Sequence, residues 1–197
     1  MKNNILQFIE IVQKDCLKHD VKLVLHSKKK IKLAKNMDVS GYWDEEKKQL
    51  HVAIYTDEWL TILAHEYGHF CQWKEGKFVS AKQINLFVDF DEWLRGTKEL
   101  NQKRLLAACR MVQSCELDCE KRALALIKKF KLSNDYTLYI QKSNSYVLGY
   151  EVVRKLRKWF KSGPSKFSEI NKLMKKSFIK DFKISKKQLE IIKQKCF

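Results

Sequence analysis

Leu63-Ala64-His65-Glu66-Tyr67-Gly68-His69-Phe70-Cys71 is the stretch around which the rest of the chain is organised. On a helix, residues four positions apart share a face, so His65 and His69 lie side by side and can share one metal ion. Glu66 lies one step round the helix from His65, within reach of a water molecule on that ion. The flanking residues are apolar, as a helix in the centre of a domain requires. The stretch predicts a buried helix with two metal ligands and a water-activating carboxylate.

Zn²⁺, one ion per chain, is the metal that this pattern favours, because two imidazoles and a carboxylate are the parts of a hydrolytic zinc site that one helical turn supplies. The simpler interpretation is an amphipathic helix with two surface or capping histidines. The chain has 197 residues and only 5 His, so a chance match to HExxH is improbable. We therefore favour the metal helix.

The length and composition predict one domain with a small appendage. The chain is 45% hydrophobic and contains only one Pro and 6 Gly, which is enough for a real core and argues against long disordered linkers. Ser162-Gly163-Pro164-Ser165 is the clearest break in the pattern. It divides a main domain, residues 1–161, from a basic, helical C-terminal appendage, residues 162–197. We expect no membrane-spanning segment, because no run of 18 apolar residues occurs.

The net charge of +17 has two interpretations. One is a surface for nucleic acid or another polyanion. The other is a Lys-rich surface that follows from an AT-rich coding bias and implies no partner. We favour the second, because Lys is commoner than Arg and occurs along the whole chain, whereas nucleic-acid surfaces usually cluster Arg. A protein or peptide substrate is the expected partner, and the oligomeric state is left open.

The six cysteines predict a reducing compartment. Cys115 and Cys119 are one helical turn apart, and the chain carries no secretory signal pattern at its N-terminus. Reduced thiols in a cytoplasmic protein fit better than disulfides. No CxxC pair is present, so a second zinc site made only of thiolates is not expected.

Hydrophobic periodicity predicts an α+β fold with a mostly helical C-terminal half. We expect a small antiparallel sheet packed on the HExxH helix and on long helices. Residues 77–98 are interpreted as a loop with short helical turns. The predicted helices are 4–18, the metal helix from Thr56 or Asp57 to about residue 74, 99–130 and 135–160; the predicted strands are 21–25 and a hairpin of 39–44 with 49–54.

The third metal ligand is expected to be a carboxylate on a later element, because no His follows the motif. Glu116 and Glu120 are four residues apart on one predicted helix. We assign Glu116 to the metal and Glu120 to the N–H of a ligand histidine. Two alternatives stay open. Glu120 could bind the metal in place of Glu116, or the two carboxylates could form a solvated acidic patch paired with Lys121 or Arg122.

His65-Glu66-Tyr67-Gly68-His69 followed by Glu116 and Glu120 resembles the gluzincin arrangement of HExxH and a later Glu ligand. The segment from Glu116 to Ala123 is similar to the third-ligand helix of ImmA/IrrE-type and related phage-encoded metallopeptidases. The resemblance covers roughly residues 39–150. It implies a zincin-like fold and hydrolysis of peptide bonds, in the host cytoplasm if the protein is viral. Glu120 departs from the pattern, because gluzincins usually carry Asp there.

The expected mechanism uses Glu66 as general base and a nearby donor to stabilise the oxyanion. Tyr146, Tyr150 and His51 are the candidate donors. Core packing is the favoured explanation for both tyrosines, and Tyr146 is the one we select if a tyrosine is the donor. Two other functions compete. One is a DNA-associated protease of the SprT-like kind, recruited by its basic surface. The other is a regulatory binding module whose zinc is not catalytic, against which an intact Glu66 argues.

Overall fold

The computed structural model describes residues 2–34 and 37–197, and these form an α+β fold that is mostly helical. The predicted fold class is confirmed at this level. A short 3₁₀ turn, Pro164–Lys166, follows the fifth helix. The elements are α1 Lys2–Lys18, β1 Lys22–His26, β2 Ile31–Ala34, β3 Met37–Val39, β4 Gly41–Asp44, β5 Gln49–Ala53, α2 Trp59–Lys74, α3 Ala81–Arg95, α4 Gln102–Phe130, α5 Tyr136–Leu156, α6 Ser168–Asn171 and α7 Lys186–Cys196.

The chain divides into two compact units. Unit 1 consists of Met1–Lys77 and Cys119–Asn134, and unit 2 of Phe78–Asp118 and Asp135–Phe197. Helix α4 therefore contributes its C-terminal part to unit 1 and its N-terminal part to unit 2. The domain limits given from the sequence, 1–161 and 162–197, stay a prediction.

The sheet of unit 1 is mixed, which corrects the expectation of an antiparallel sheet. Strand order is β1-β5-β4; β4 and β5 form the predicted antiparallel hairpin, but β1 pairs with β5 in parallel. A hairpin is determined by a local turn, whereas a parallel pair needs a long connection and no local signal records it. A second sheet of β2 and β3 was not expected.

Helix α2, which carries the HExxH stretch, packs against β4 and β5. Leu63, Ala64 and Phe70 are fully buried, so the apolar flanks of the motif anchor the helix in the core. The helix begins at Trp59 and its N-cap is Glu58, one residue after the predicted cap at Asp57. After its end, Gly76 has a φ of +66°, a conformation that glycine adopts without strain.

Gly68 allows α2 to approach α4 closely in unit 1. A Cβ atom at this position would lie 2.7 Å from Sγ of Cys119 and 3.3 Å from its carbonyl oxygen. Overpacking of this kind costs about 1–3 kcal/mol, while Ala stabilises a helix over Gly by roughly 1 kcal/mol. Taking the middle of the overpacking range, about 2 kcal/mol, less the helix gain of about 1 kcal/mol, we expect Gly68→Ala to lower the free energy of unfolding by about 1 kcal/mol, measured by urea denaturation in the presence of a chelator.

The matched control is the double variant Gly68→Ala/Cys119→Ala, which removes the sulfur that the new methyl group would meet. We expect it to be more stable than the sum of the single variants predicts, because the two sites are in contact. A Gly68→Ala protein as stable as wild type would show that the helices can separate without cost.

Residues 81–95 form helix α3, so the predicted loop over 77–98 is wrong. Ser80 caps the helix through a reciprocal pair with Gln83, and Gly96 ends it in the left-handed conformation, at a φ of +82°. Leu86, Phe90 and Trp93 are buried in unit 2. Their spacing of four and three residues is typical of a helix. The many aromatic residues of this segment had favoured an irregular structure in the sequence-based prediction.

Unit 2 is built around α5, which contacts the 3₁₀ turn, α6 and α7. Val147, Val152, Ile170 and Ile192 are fully buried in one hydrophobic core. None of the helices in the described part of the chain has the length and apolar character that a bilayer crossing needs. None of the six cysteines, all of which lie in the described part of the chain, forms a disulfide.

Candidate metal centre

His65 and His69 lie on one face of α2, with their ring centroids 4.8 Å apart and their planes at 85°. Both side chains are only half-buried, whereas Leu63, Ala64 and Phe70 are fully buried. The helix is thus anchored by its apolar residues, and its two imidazoles are partly accessible to solvent.

Nδ1 of each imidazole lies near a side-chain oxygen. Nδ1 of His69 forms a hydrogen bond of 2.9 Å with Oε1 of Gln72, and Nδ1 of His65 lies 3.3 Å from Oε1 of Glu120. The acceptor at Nδ1 of His69 favours the tautomer with the proton there, which places the lone pair of that ring on Nε2. Metal-binding histidines in proteins are commonly oriented in this way.

Cys119 completes a triad with the two histidines. Each of the three residues offers one ligand atom, and these atoms lie within 4.8 Å of one another. Cys119 is fully buried, and its thiol donates a hydrogen bond of 2.8 Å to the carbonyl oxygen of His65. Cys119 was not among the ligands predicted from the sequence. Its position directly before Glu120, in the segment expected to supply the third ligand, could have indicated it.

The donor set of this triad fits zinc. Imidazole nitrogen and thiolate sulfur are both common zinc ligands, and tetrahedral bonds of about 2.0–2.3 Å separate ligand atoms by roughly 3.5 Å. Bringing the atoms from within 4.8 Å to that separation needs movements of about 1 Å or less, which side-chain rotation on two helices provides.

Glu66 is buried at 8% exposure and packs beneath strand β4. A Cβ atom on Gly41 would lie 2.8 Å from Cγ of Glu66 and 2.9 Å from Cγ2 of Ile62. Glycine at this position of β4 therefore makes the room that the Glu66 side chain occupies. The contact limits the rotamers of the carboxylate, as the expected role of a positioned base requires.

Glu120 and Glu116 belong to different units. Glu120 is in unit 1 and is the residue that approaches His65. Glu116 is in unit 2, where the hydroxyl of Tyr150 donates to its Oε1 over 3.4 Å. The assignment of Glu116 as a metal ligand stays a prediction from the sequence.

Tyr146 and Tyr150 form a short polar chain on α5 in unit 2. Their hydroxyl oxygens are 3.1 Å apart, and Tyr150 continues the chain to Glu116. Burial, with added repulsion from Glu116 and Tyr146, raises the pKa of Tyr150 well above its usual value. Tyr150 thus remains a protonated hydrogen-bond donor throughout the neutral range. The role of Tyr146 as an oxyanion donor stays a prediction.

His51 lies on β5 in a stack with Tyr42, whose ring centroid is 4.4 Å away at an angle of 6°. Its Nδ1 is 2.9 Å from Nε2 of His26, and its Nε2 is 3.0 Å from Oε1 of Gln49. Burial and the proximity of His26 lower the pKa of His51. Both ring nitrogens are thus engaged within the sheet, which leaves His51 a weaker candidate for the oxyanion donor.

Comparisons with models of known protein families, with curated proteins and with solved structures give no match to this chain. Function is therefore inferred from the motif and from the geometry described above.

Proposed function

We propose that the protein is a zinc-dependent hydrolase that cleaves peptide bonds. The observation that carries the proposal is the pair of imidazoles on α2, which belong to a triad of ligand atoms within 4.8 Å of one another. The hydrogen bond between Nδ1 of His69 and Gln72 prepares Nε2 of that histidine for a metal ion. The choice of peptide bonds as substrate, and of a zincin-like fold, rests on the resemblance of the HExxH stretch to gluzincins.

His65 and His69 would hold the zinc ion through Nε2, and Glu120 and Gln72 would hold the two Nδ1 protons. The third ligand has two candidates on α4. Cys119 is supported by the triad of ligand atoms, and Glu116 is proposed from the sequence alone. A hydrolytic zinc site leaves one position open for water, so one of the two is sufficient.

The proposed mechanism assigns the proton transfers to Glu66. A bound zinc ion lowers the pKa of water towards neutrality and polarises a carbonyl group. Glu66 accepts the proton of the attacking water and delivers it to the amine that leaves. Gly41 supports this role, because its contact with Cγ of Glu66 holds the carboxylate against the sheet.

The test is cleavage of an unfolded protein and of a mixed fluorogenic peptide library by the purified chain. We expect cleavage to disappear after removal of metal with a chelator and to return with one equivalent of zinc per chain. A separate titration of the metal-free protein with zinc measures binding without reference to activity.

The outcomes separate the proposed functions. Zinc binding with cleavage supports the hydrolase. Stoichiometric zinc binding without cleavage of any substrate in the library would favour the binding module with a non-catalytic metal. A protein that takes up no zinc would overturn both.

A further inference from the structure

The excess positive charge is concentrated at the C-terminal end of unit 2. Residues 154–197 contain 15 Lys and Arg but only three Asp and Glu, a net charge of +12 out of the chain's +17. All 13 lysines of this segment are exposed. Among the described residues, Lys195 is the only one of them within 4 Å of a carboxylate, that of Glu169 at 3.5 Å. A surface of this kind attracts polyanions.

The two arginines of the segment, unlike most of its lysines, form ion pairs with carboxylates of unit 2. Arg154 pairs with the buried carboxylate of Glu151 at 3.0 Å, and Arg157 pairs with Glu99. The guanidinium groups, which can recognise bases by bidentate hydrogen bonds, are thus engaged within unit 2. The displayed charges are ammonium groups, which interact with phosphate as point charges.

The backbone of the lysine-rich loop between α6 and α7 is held in place by α5. The buried side chain of Asn144 donates to the carbonyl oxygens of Lys175 and Ser177, each over 2.9 Å, and accepts from the amide of Ile179 over 3.1 Å. Gln141 donates to the carbonyl oxygen of Met174. A loop without regular secondary structure is therefore ordered by buried amide groups, which lowers the entropic cost of binding.

The loop points its apolar residues inward and its lysines outward. Met174 and Ile179 are 4% and 6% exposed. The side chains of Lys172, Lys175, Lys176, Lys180 and Lys183 are exposed. Asp181 is the one acidic residue in the loop, and its carboxylate accepts the backbone N–H of Lys183. The loop thus presents five closely spaced cations on a fixed backbone.

We propose that this lysine loop, residues 172–183, with the exposed lysines around it, binds the phosphate backbone of double-stranded nucleic acid without sequence preference. Neutralisation of phosphates by Lys releases counterions and supplies sequence-independent affinity. The proposal is independent of the metal centre, and it revises the earlier preference for a surface without a partner.

A duplex fits better than a single strand or a membrane. Single-strand binding uses aromatic platforms on which bases stack, and binding at a membrane surface uses apolar side chains that enter the interface. None of the exposed large hydrophobic residues in the described part of the chain lies within residues 154–197. The aromatic side chains of the segment, among them Phe178 and Phe182, are half-buried and pack against the core of unit 2, so charge is the main feature of this surface.

The experiment is fluorescence anisotropy of a mixed-sequence DNA duplex of 20 base pairs, titrated with the full chain at 50–200 mM salt. We expect Lys175→Gln/Lys176→Gln/Lys180→Gln to weaken binding at least tenfold at 100 mM salt. The slope of log affinity against log salt should fall by about 2–3, since three phosphate contacts are lost. The matched control is Lys18→Gln/Lys28→Gln/Lys29→Gln, which removes the same charge from exposed positions of unit 1 and should change affinity less than threefold.

Asn144→Ala tests the ordered backbone without changing charge, and we expect it to weaken binding three- to tenfold. Several results would overturn the proposal: no binding by the wild-type chain, equal losses of affinity in the two triple-lysine variants, or tighter binding of a single strand than of the duplex.

Vesicles that contain anionic lipid provide a second test. If the wild-type chain bound them more tightly than DNA, and the triple variant of the loop lost this binding, the surface would be assigned to a membrane instead. Metal-free protein should bind DNA as the wild type does.

Discussion

Glu66→Gln is expected to lower kcat/KM for peptide hydrolysis by about 10³-fold while leaving one zinc per chain. General base catalysis contributes about 10²–10⁴ in rate, and the amide cannot accept the proton of the attacking water. The substitution keeps the shape of the side chain, so the packing of Cγ against Gly41 is preserved. The measurement pairs steady-state hydrolysis with elemental analysis of the same sample.

The control for this prediction is Glu10→Gln, which removes a carboxylate from the exposed surface of α1 and should leave kcat/KM within twofold. If Glu66→Gln retained most of the activity, the general base would have to be another residue. If the Glu66→Gln protein lost zinc as well as activity, the role of Glu66 would be in binding the metal rather than in transferring the proton.

His69→Ala is expected to weaken zinc binding by more than 100-fold and to abolish hydrolysis. Changing a residue that only orients a ligand typically lowers metal affinity about 10–100-fold. Removing a ligand should lower the affinity by more than that. Glu120→Gln, which alters the contact 3.3 Å from Nδ1 of His65, should therefore fall between wild type and His69→Ala. Competition with a chromophoric chelator measures all three affinities.

His19→Ala is the matched control, because His19 lies in the turn after α1 and its Nδ1 donates to the carbonyl oxygen of Asp15. It should bind zinc as the wild type does. Equal zinc affinity in His69→Ala and wild type would contradict the metal helix itself and leave the simpler interpretation, an amphipathic helix with two histidines.

The third ligand is decided by the same assay with two further variants, Cys119→Ser and Glu116→Gln. The one that supplies the ligand should show a loss comparable to that of His69→Ala. Cobalt substitution gives an independent signal, because a thiolate ligand produces charge-transfer absorption in the near ultraviolet and a carboxylate does not. Absorption that is lost in Cys119→Ser would assign Cys119.

The sequence by itself determined the helix that carries the HExxH stretch, the β4–β5 hairpin and the long helices α4 and α5, because each of these follows from a local pattern. The spacing of His65 and His69 places both rings on one face of any helix. The charged turn between two alternating segments predicts a hairpin. The C-terminal half repeats apolar residues at helical intervals over more than two turns.

Only the tertiary structure decided the parallel pairing of β1 with β5, which of the two histidines Glu120 approaches, and the inclusion of Cys119 among the ligand atoms. Each depends on residues that are distant in the chain, and no local periodicity encodes such pairs. Gly68 shows the reason at one position: its missing side chain lets α4 approach α2 closely enough for Cys119 to reach the two histidines. Whether a thiol lies beside the two histidines is therefore a property of helix packing, while the spacing of the histidines is a property of the sequence.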